Sequence, residues 1–385
     1  MYPLKTDSKL VAAIGAAVAG LPTYSPLIRA DAPPEASEVG MRYSRYSEDS
    51  LDASRVIFGS RERYDIDVTQ LWLEAPVGGS WSIALDLQND SMSGASPWFV
   101  GVAADGKPGV VMSGASIQDN RVEVSATTRY YWADGNAGFN VTHSDEDDYE
   151  ALAFGFDIAW NSEDSSRTWS ASASTSNDTV SPVKEQIPVF IDSEELETHS
   201  AFFGVSQILS RTEIIRIGLS YTVSRGYLSD PYKFLDSRPD NHERMALSAG
   251  YRRFITSADG AAQLDYRYYS DDWGTDSHTL ELAWHQNLGE HAIVPYLRYY
   301  SQSEADFFSV ISNYADKYHS DDYRLSSYGA FTLGLRGTIS LGDWEFEAQT
   351  ERYVSDNTWS LYGGEEAPAL VDFWRATVGL RYRFN

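Results

Sequence analysis

Strict alternation of apolar and polar residues, renewed again and again from about residue 36 to the C-terminus, is what most limits the folds open to this chain. Trp81, Ile83, Leu85 and Leu87 alternate with Ser82, Ala84, Asp86 and Gln88. Leu152, Phe154, Phe156, Ile158 and Trp160 alternate with Ala153, Gly155, Asp157 and Ala159. Ile215, Ile217, Leu219, Tyr221 and Val223 do the same against Arg216, Gly218, Ser220 and Thr222. Successive side chains of a strand point to opposite faces, so each segment has one apolar face and one wet one.

A soluble β-sandwich also alternates. Two features favour a wall that faces lipid. The polar face holds charges at mid-strand (Asp86, Asp157, Arg216, Arg336), while aromatics cap the apolar face near strand ends (Trp81, Trp160, Tyr221). That is an apolar band with aromatic girdles, and Trp374 and Phe384 belong to the same girdles. The connections also alternate short and long. Short links such as 77–79, 133–135, 210–212, 289–290 and 342–343 carry the Gly and Asp that tight hairpins need. Long ones fall at 47–62, 91–119, 177–195, 225–242, 301–321 and 355–371.

Strands are expected near 38–46, 63–75, 80–90, 120–132, 136–144, 149–160, 166–176 and 196–208. They continue near 213–224, 243–254, 261–270, 276–287, 291–300, 322–340, 343–354 and 372–384. The expected fold is therefore all-β: a transmembrane antiparallel up-and-down barrel of about sixteen strands, within a range of about 14–18. Short turns would face the periplasm, and long loops the exterior. In the last strand Trp374, Ala376, Val378, Leu380, Tyr382 and Phe384 alternate with Arg375, Thr377, Gly379, Arg381 and Arg383. An aromatic end of this kind resembles the recognition signal of the outer-membrane barrel assembly machinery, although Asn385 follows Phe384 here.

Composition agrees. Hydrophobic residues make up 42% of the chain, yet its mean hydropathy is −0.38. After residue 30 no apolar run approaches the roughly 20 residues of a transmembrane helix. Tyr (25) and Trp (11) are plentiful, as strands and membrane interfaces favour. The absence of Cys excludes disulfides, thiolate metal sites and Cys nucleophiles. A net charge of −26 argues against nucleic acid as a partner.

The N-terminus reads as a secretory signal. Lys5 and Lys9 precede the apolar stretch 10–20, Pro22 breaks it, and Ala30-Asp31-Ala32 offers a small-residue cleavage site. This predicts residues 1–32 as a removed signal peptide and 33–385 as the barrel, beginning at Pro33 in the cell outer membrane.

Several stretches resemble a proteobacterial outer-membrane family catalogued as domain-of-unknown-function family 3570. They are 41–46 (Met-Arg-Tyr-Ser-Arg-Tyr), 90–97 (Asp-Ser-Met-Ser-Gly-Ala-Ser-Pro), and 113–116 (Ser-Gly-Ala-Ser). Others are 225–233 running on to 236–239, 266–271, and 297–300 with 305–308. The resemblance implies a barrel and brings no established activity. Members of such families are often encoded beside small lipoproteins and flavin-transfer or thioredoxin-like proteins.

Chemistry should then lie inside the barrel. The phases direct Asp86, Glu123, Arg129, Asp157, Arg216, Asp265, Arg267, Arg298, Arg336, Glu347, Arg375 and Arg381 inward, and Asp65 and Asp67 with them. Such a lining is either a wall cross-linked by mixed charges or a filter of charged rings. No Gly-x-Ser-x-Gly elbow or His-Glu-x-x-His helix occurs, and His285 near Glu281 is the least poor candidate for a catalytic pair. No catalytic residue, metal ligand or cofactor is expected, and the chain reads as no enzyme. The leading function is a porin-like or substrate-selective channel for small solutes. Next comes a structural barrel sheathing a small lipoprotein or redox partner, and an outer-membrane hydrolase is third. Membrane lipid and the assembly machinery are the general partners. The loop acids 145–148, 194–195, 271–272, 321–322 and 365–366 read as solvated surface, with loop-bound Ca²⁺ as the alternative. The Ser-Gly-Ala-Ser elements of loop 91–119 could turn that loop inward as a constriction, since glycine permits it.

Overall fold

The structure, a computed structural model, describes residues 32–114, 117–183 and 191–384. The expected signal segment falls almost wholly outside them. In chain order the strands are β1 (Ser37–Glu48), β2 (Val56–Phe58), β3 (Asp65–Val77), β4 (Trp81–Gly94), β5 (Pro97–Val102), β6 (Pro108–Met112) and β7 (Ile117–Trp132). Then come β8 (Gly135–Asp145), β9 (Tyr149–Asn161), β10 (Arg167–Val180), β11 (Glu194–Ser210), β12 (Glu213–Gly226) and β13 (Asn241–Ile255). The last are β14 (Gly260–Asp271), β15 (Asp276–Leu288), β16 (His291–Gln302), β17 (Tyr328–Leu341), β18 (Trp344–Asp356) and β19 (Phe373–Phe384).

Sixteen of them form one closed antiparallel ring in sequence order, from β1 through β3, β4 and β7 to β19. The ring shuts where Ser37 pairs with Phe384 and Glu48 with Phe373. Closure leaves no edge strand, which a spanning sheet requires because lipid cannot hydrogen-bond a free backbone. Each of the sixteen expected strands is present. The fourteenth begins at Tyr328, because Asp322 caps a short 3-10 turn (Tyr323–Leu325) that precedes it. Tight hairpins join strands at one end, as at Gly289 and Gly342, whose φ of +70° and +61° suits a residue without Cβ.

One face of the ring carries the exposed large apolar side chains, among them Leu85, Leu219, Leu282, Leu333 and Val378. This is the outer face. From Trp374 to Phe384 the strand rises about 33 Å, or about 25 Å along the membrane normal at a tilt of about 40°, the height of an apolar band. Trp81, Trp160 and Phe384 lie at the short-turn end of this face, and Tyr221 and Trp374 toward the long-loop end. Trp81 packs on Tyr130 at 4.9 Å, and Trp344 on Tyr382 at 4.4 Å.

Inside, large rings lie over glycines of a neighbouring strand. A Cβ on Gly334 would fall 2.1 Å from the Tyr296 ring, and one on Gly40 would fall 2.0 Å from that of Trp72. Trp72 and the buried Ile66 thus point inward, which turns Asp65 and Asp67 outward, contrary to expectation. The run Leu71-Trp72-Leu73 hides the phase of β3. Beyond the apolar band the outer face is wet, so acids are tolerated there, and Arg45 pairs with both at 3.4 and 3.3 Å.

The alternation did not point to the fold of the loops. Strands β2, β6 and β5 make a small separate sheet. Against it Leu51, Ala95, Val110, Met112 and Ala369 form a dry cluster that Val56 and Tyr323 complete.

Candidate functional site: the lumen wall and its loop cap

Cross-strand pairing fixes which side chains share the lumen. Arg129, Gly138 and Asp157 are in register on β7, β8 and β9, and both Arg129 Nη atoms reach Asp157, at 2.7 and 2.8 Å. Arg298 on β16 meets Glu281 on β15 at 2.6 Å, so Glu281 serves an ion pair rather than His285. Arg252 meets Asp265 at 2.6 Å. Arg375 meets Glu351 at 2.8 Å, and Glu351 also accepts a hydrogen bond from the Tyr296 hydroxyl. Arg42 meets Glu347 at 3.2 Å, and Arg381 contacts Glu345 and Glu38. Glu123 lies on the same face, 3.7 Å from Arg121.

Of the inward arginines named from the sequence, three have no carboxylate at ion-pair distance among the described residues. Arg267 lies over the Tyr269 ring, Arg336 reaches only the Gln349 amide at 3.3 Å, and Arg216 faces Gly250 across the seam. The twelve charged positions named from the sequence all fall on this inner face, in the register that joins each strand to the next. They do not form one ring of one sign. They are pairs and single cations spread over the wall from β12 through β19 to β9. The wall between is neutral, with Ser170, Ser172, Ser174 and Ser176 on β10 facing Gly204, Phe202, Ser200 and Thr198 on β11. That serine stripe was legible at period two, but carries no charge to draw attention.

Parts of this wall are not packed against the described residues. Asp86 and Arg267 are exposed although they point inward, and the side chains of Asp157 and Asp265 retain 33% and 39% of their accessibility.

At the long-loop end the loops lock together. The β4–β7 loop reaches two others: the Val100 amide donates to Asp321 at 2.7 Å, and the Phe234 amide donates to the Trp98 carbonyl at 3.1 Å. Asp321 lies between β16 and β17, and Phe234 between β12 and β13. Four strands separate β7 from β12, and four separate β4 from β17, so this loop crosses the mouth of the ring. Ser96 and Ser113, one from each Ser-Gly-Ala-Ser element, pair at its stem, where the Ser113 amide donates to the Ser96 carbonyl at 2.9 Å and the Ser96 amide to Ser113 Oγ at 2.9 Å.

The β12–β13 and β16–β17 loops are joined by ion pairs. Arg238 bridges Asp236 and Asp322, each at 2.8 Å, and Arg324 bridges Asp322 and Asp230. Asp322 is fully buried. Burial alone would raise its carboxyl, but Arg324, Lys233 and Arg238 hold it well below the ordinary 3.8. Arg63 and Glu48 make a further dry pair at 2.8 Å, with the Arg63 guanidinium over the Tyr323 ring.

The loop acids are thus not all solvated surface: Asp321, Asp322, Glu146 and Asp148 are buried. The last two lie beside Asp119 in one group. Burial, and then the charge of Asp119, push Glu146 up to about 9. Burial raises Asp148, while a hydrogen bond from Tyr232 opposes the rise.

A family model described as "Protein of unknown function (DUF3570)" matches residues 10–373. No curated protein sequence matches the chain. Among solved structures, a bacterial polysaccharide outer-membrane secretin superposes with a TM-score of 0.52 at 9% identity, covering 91% of this chain and 99% of the other. CdiB from Acinetobacter baumannii gives 0.50 at 6% identity, over 91% of this chain and 60% of that one. The siderophore receptor PirA from Pseudomonas aeruginosa gives 0.46 at 12% identity, over 90% of this chain, which spans 62% of the receptor. At such identities the likeness is one of fold: an outer-membrane-type β-barrel.

Proposed function

The chain belongs to the DUF3570 family, and from that premise we propose that this barrel is a substrate-selective outer-membrane channel for small hydrophilic solutes. The observation that carries the reading is the accessibility of the inner wall. Ionised groups taken out of water are costly even when paired, so a sealed interior would pair and bury them. Here Asp86, Asp157, Asp265 and Arg267 point inward and remain accessible. A ring of sixteen strands leaves an aqueous lumen unless something fills it.

The loop cap supports selectivity over free passage. A solute arriving from the long-loop side meets the β4–β7 loop, pinned across the mouth by Asp321 and Phe234. Beyond it, single arginines alternate with compensated pairs and a hydroxyl-lined wall. Such a lining offers hydrogen bonds to polar solutes and a field that favours anions near Arg216, Arg267 and Arg336. The proposal includes export through a signal peptide ending at Ala32, insertion by the barrel assembly machinery, and no catalysis by the chain itself.

Planar-bilayer conductance of the purified, folded barrel tests the reading. A salt-dependent current is expected. A folded barrel that stays silent and co-purifies with a small lipoprotein or redox protein would favour the sheath instead.

A further inference from the structure

We infer that the long-loop rim holds a divalent-cation site built from Asp119, Glu146 and Asp148, of the hard, all-oxygen kind that takes Ca²⁺. Asp119 stands at the rim end of β7, and the other two lie in the tight β8–β9 connection. One carboxylate oxygen from each can be chosen so that all lie within 4.8 Å of one another. That is about twice the Ca–O distance of roughly 2.4 Å, so one ion can touch all three. Mono- or bidentate carboxylates would fill about three to six of the 6–8 oxygen positions Ca²⁺ takes, and water would supply the rest.

A cluster of acids alone would say little, since acids gather on many surfaces. This one is buried, and its central member lacks partners. Asp119 retains 2% of its accessibility, and neither of its carboxylate oxygens has a hydrogen-bond partner. Oε2 of Glu146 is buried and unpartnered too. The adjacent cation is Arg121, and it is shared: its guanidinium lies 2.9 Å from Asp90, 3.7 Å from Glu146 and 3.7 Å from Glu123. One positive charge therefore faces several acids in a place with little water. Carboxylate oxygens buried without donors are costly, and a bound cation relieves that cost. The site offers no His or Cys, so its donors suit a hard cation better than zinc or copper. Mg²⁺ holds its waters and demands near-ideal octahedral geometry, which a three-carboxylate rim site supplies less well than the looser shell of Ca²⁺.

The position gives the ion a structural task. The Tyr232 hydroxyl donates to Asp148 and accepts from the Val183 amide at 3.1 Å, and Tyr232 belongs to the β12–β13 loop. That loop in turn touches the β4–β7 loop at Trp98. A cation at Asp119 would tie the rim of β7 and the β8–β9 connection to the loops that cross the mouth. This inference stands whether or not the lumen conducts.

The test uses the full folded barrel in detergent, stripped with a chelator and titrated calorimetrically with CaCl₂, then with MgCl₂. One saturable Ca²⁺ equivalent per chain is expected in the micromolar to millimolar range known for such sites, together with a rise in the temperature at which the band shifts on heating. Asp119→Asn should weaken that equivalent at least tenfold. In chelator it should be no less heat-resistant than the parent, because it removes an unpaired buried charge. Glu146→Gln serves as a second variant with the same expected loss. Glu163→Gln, an exposed acid in a short turn at the opposite rim, should bind as the parent does. The inference is overturned by absence of saturable Ca²⁺ binding, or by parental binding in both Asp119→Asn and Glu146→Gln. It is equally overturned by Mg²⁺ affinity equal to that for Ca²⁺.

Discussion

Arg129 and Asp157 join hands across an intervening strand, over the bare backbone of Gly138. The two residues sit on β7 and β9, and a Cβ on Gly138 would lie 2.6 Å from both the guanidinium Nη2 and the carboxylate Oδ1. Arg129 is nearly buried, and Asn136 accepts another of its hydrogen bonds. Asp157→Asn should therefore cost about 1–3 kcal/mol, the range for losing a charge-assisted hydrogen bond at a partly exposed partner. Gly138→Val should approach the same loss by forcing the pair apart. Thermal melting of the folded band on gels measures both. Parental stability in both variants would mean that the pair contributes nothing.

The two faces of a single strand should respond in opposite ways. Leu85 is exposed on the outer face at mid-strand, while Asp86 points into the lumen. Leu85→Arg places a charge against lipid and should cost about 2–4 kcal/mol. Asp86→Asn should leave folding nearly unchanged. Refolding into bilayers against urea gives both values, and equal tolerance would contradict the assignment of faces.

The barrel was legible because lipid and water impose a period-two code that no loop interrupts within a strand. From Trp374 to Phe384 in β19 six apolar residues alternate with five others, and the phase reads without doubt. In β3 the code fails, since Trp72 turns inward over Gly40 while Leu71 and Leu73 face outward, and Asp65 and Asp67 were misassigned with it. The loop cap could not be read at all. Asp322 draws its burial from Arg238, 84 positions away, and Asp321 receives a hydrogen bond from Val100, 221 positions away. Local sequence shows these acids as charges, and charges default to the surface. The pairings of the inner wall were half legible: parity placed Arg298 and Glu281 on one face, but their meeting depends on register.

Acid should loosen the cap. The depressed carboxyl of Asp322 adds stability that is full above its ordinary value of 3.8 and drains away as pH falls toward the depressed value. Asp321, raised by burial, acts in the opposite sense, its contribution declining as pH rises above that ordinary value. Pepsin should begin to cut loops 227–240 and 303–327 as pH falls below about 3.8, while the barrel itself remains folded. Unchanged protection there would remove Asp322 from the account of the cap.

Protein isolated from outer membranes should begin at or near Pro33, as the signal reading of residues 1–32 requires. Edman degradation or intact mass decides it. Met1 retained on the membrane-inserted barrel would refute that reading.

Conduction through the lumen is tested most directly by the reversal potential across a planar bilayer under a KCl gradient. The parent barrel should carry a steady current. Asp86→Asn combined with Asp265→Asn removes two inward acids and leaves Arg252 without its counter-charge. The reversal potential should then move toward that of anions, most at low salt, where screening lengths reach about 30 Å at 0.01 M. A correctly folded barrel that passes no current at any salt, or a double variant whose reversal potential does not move, would contradict the account.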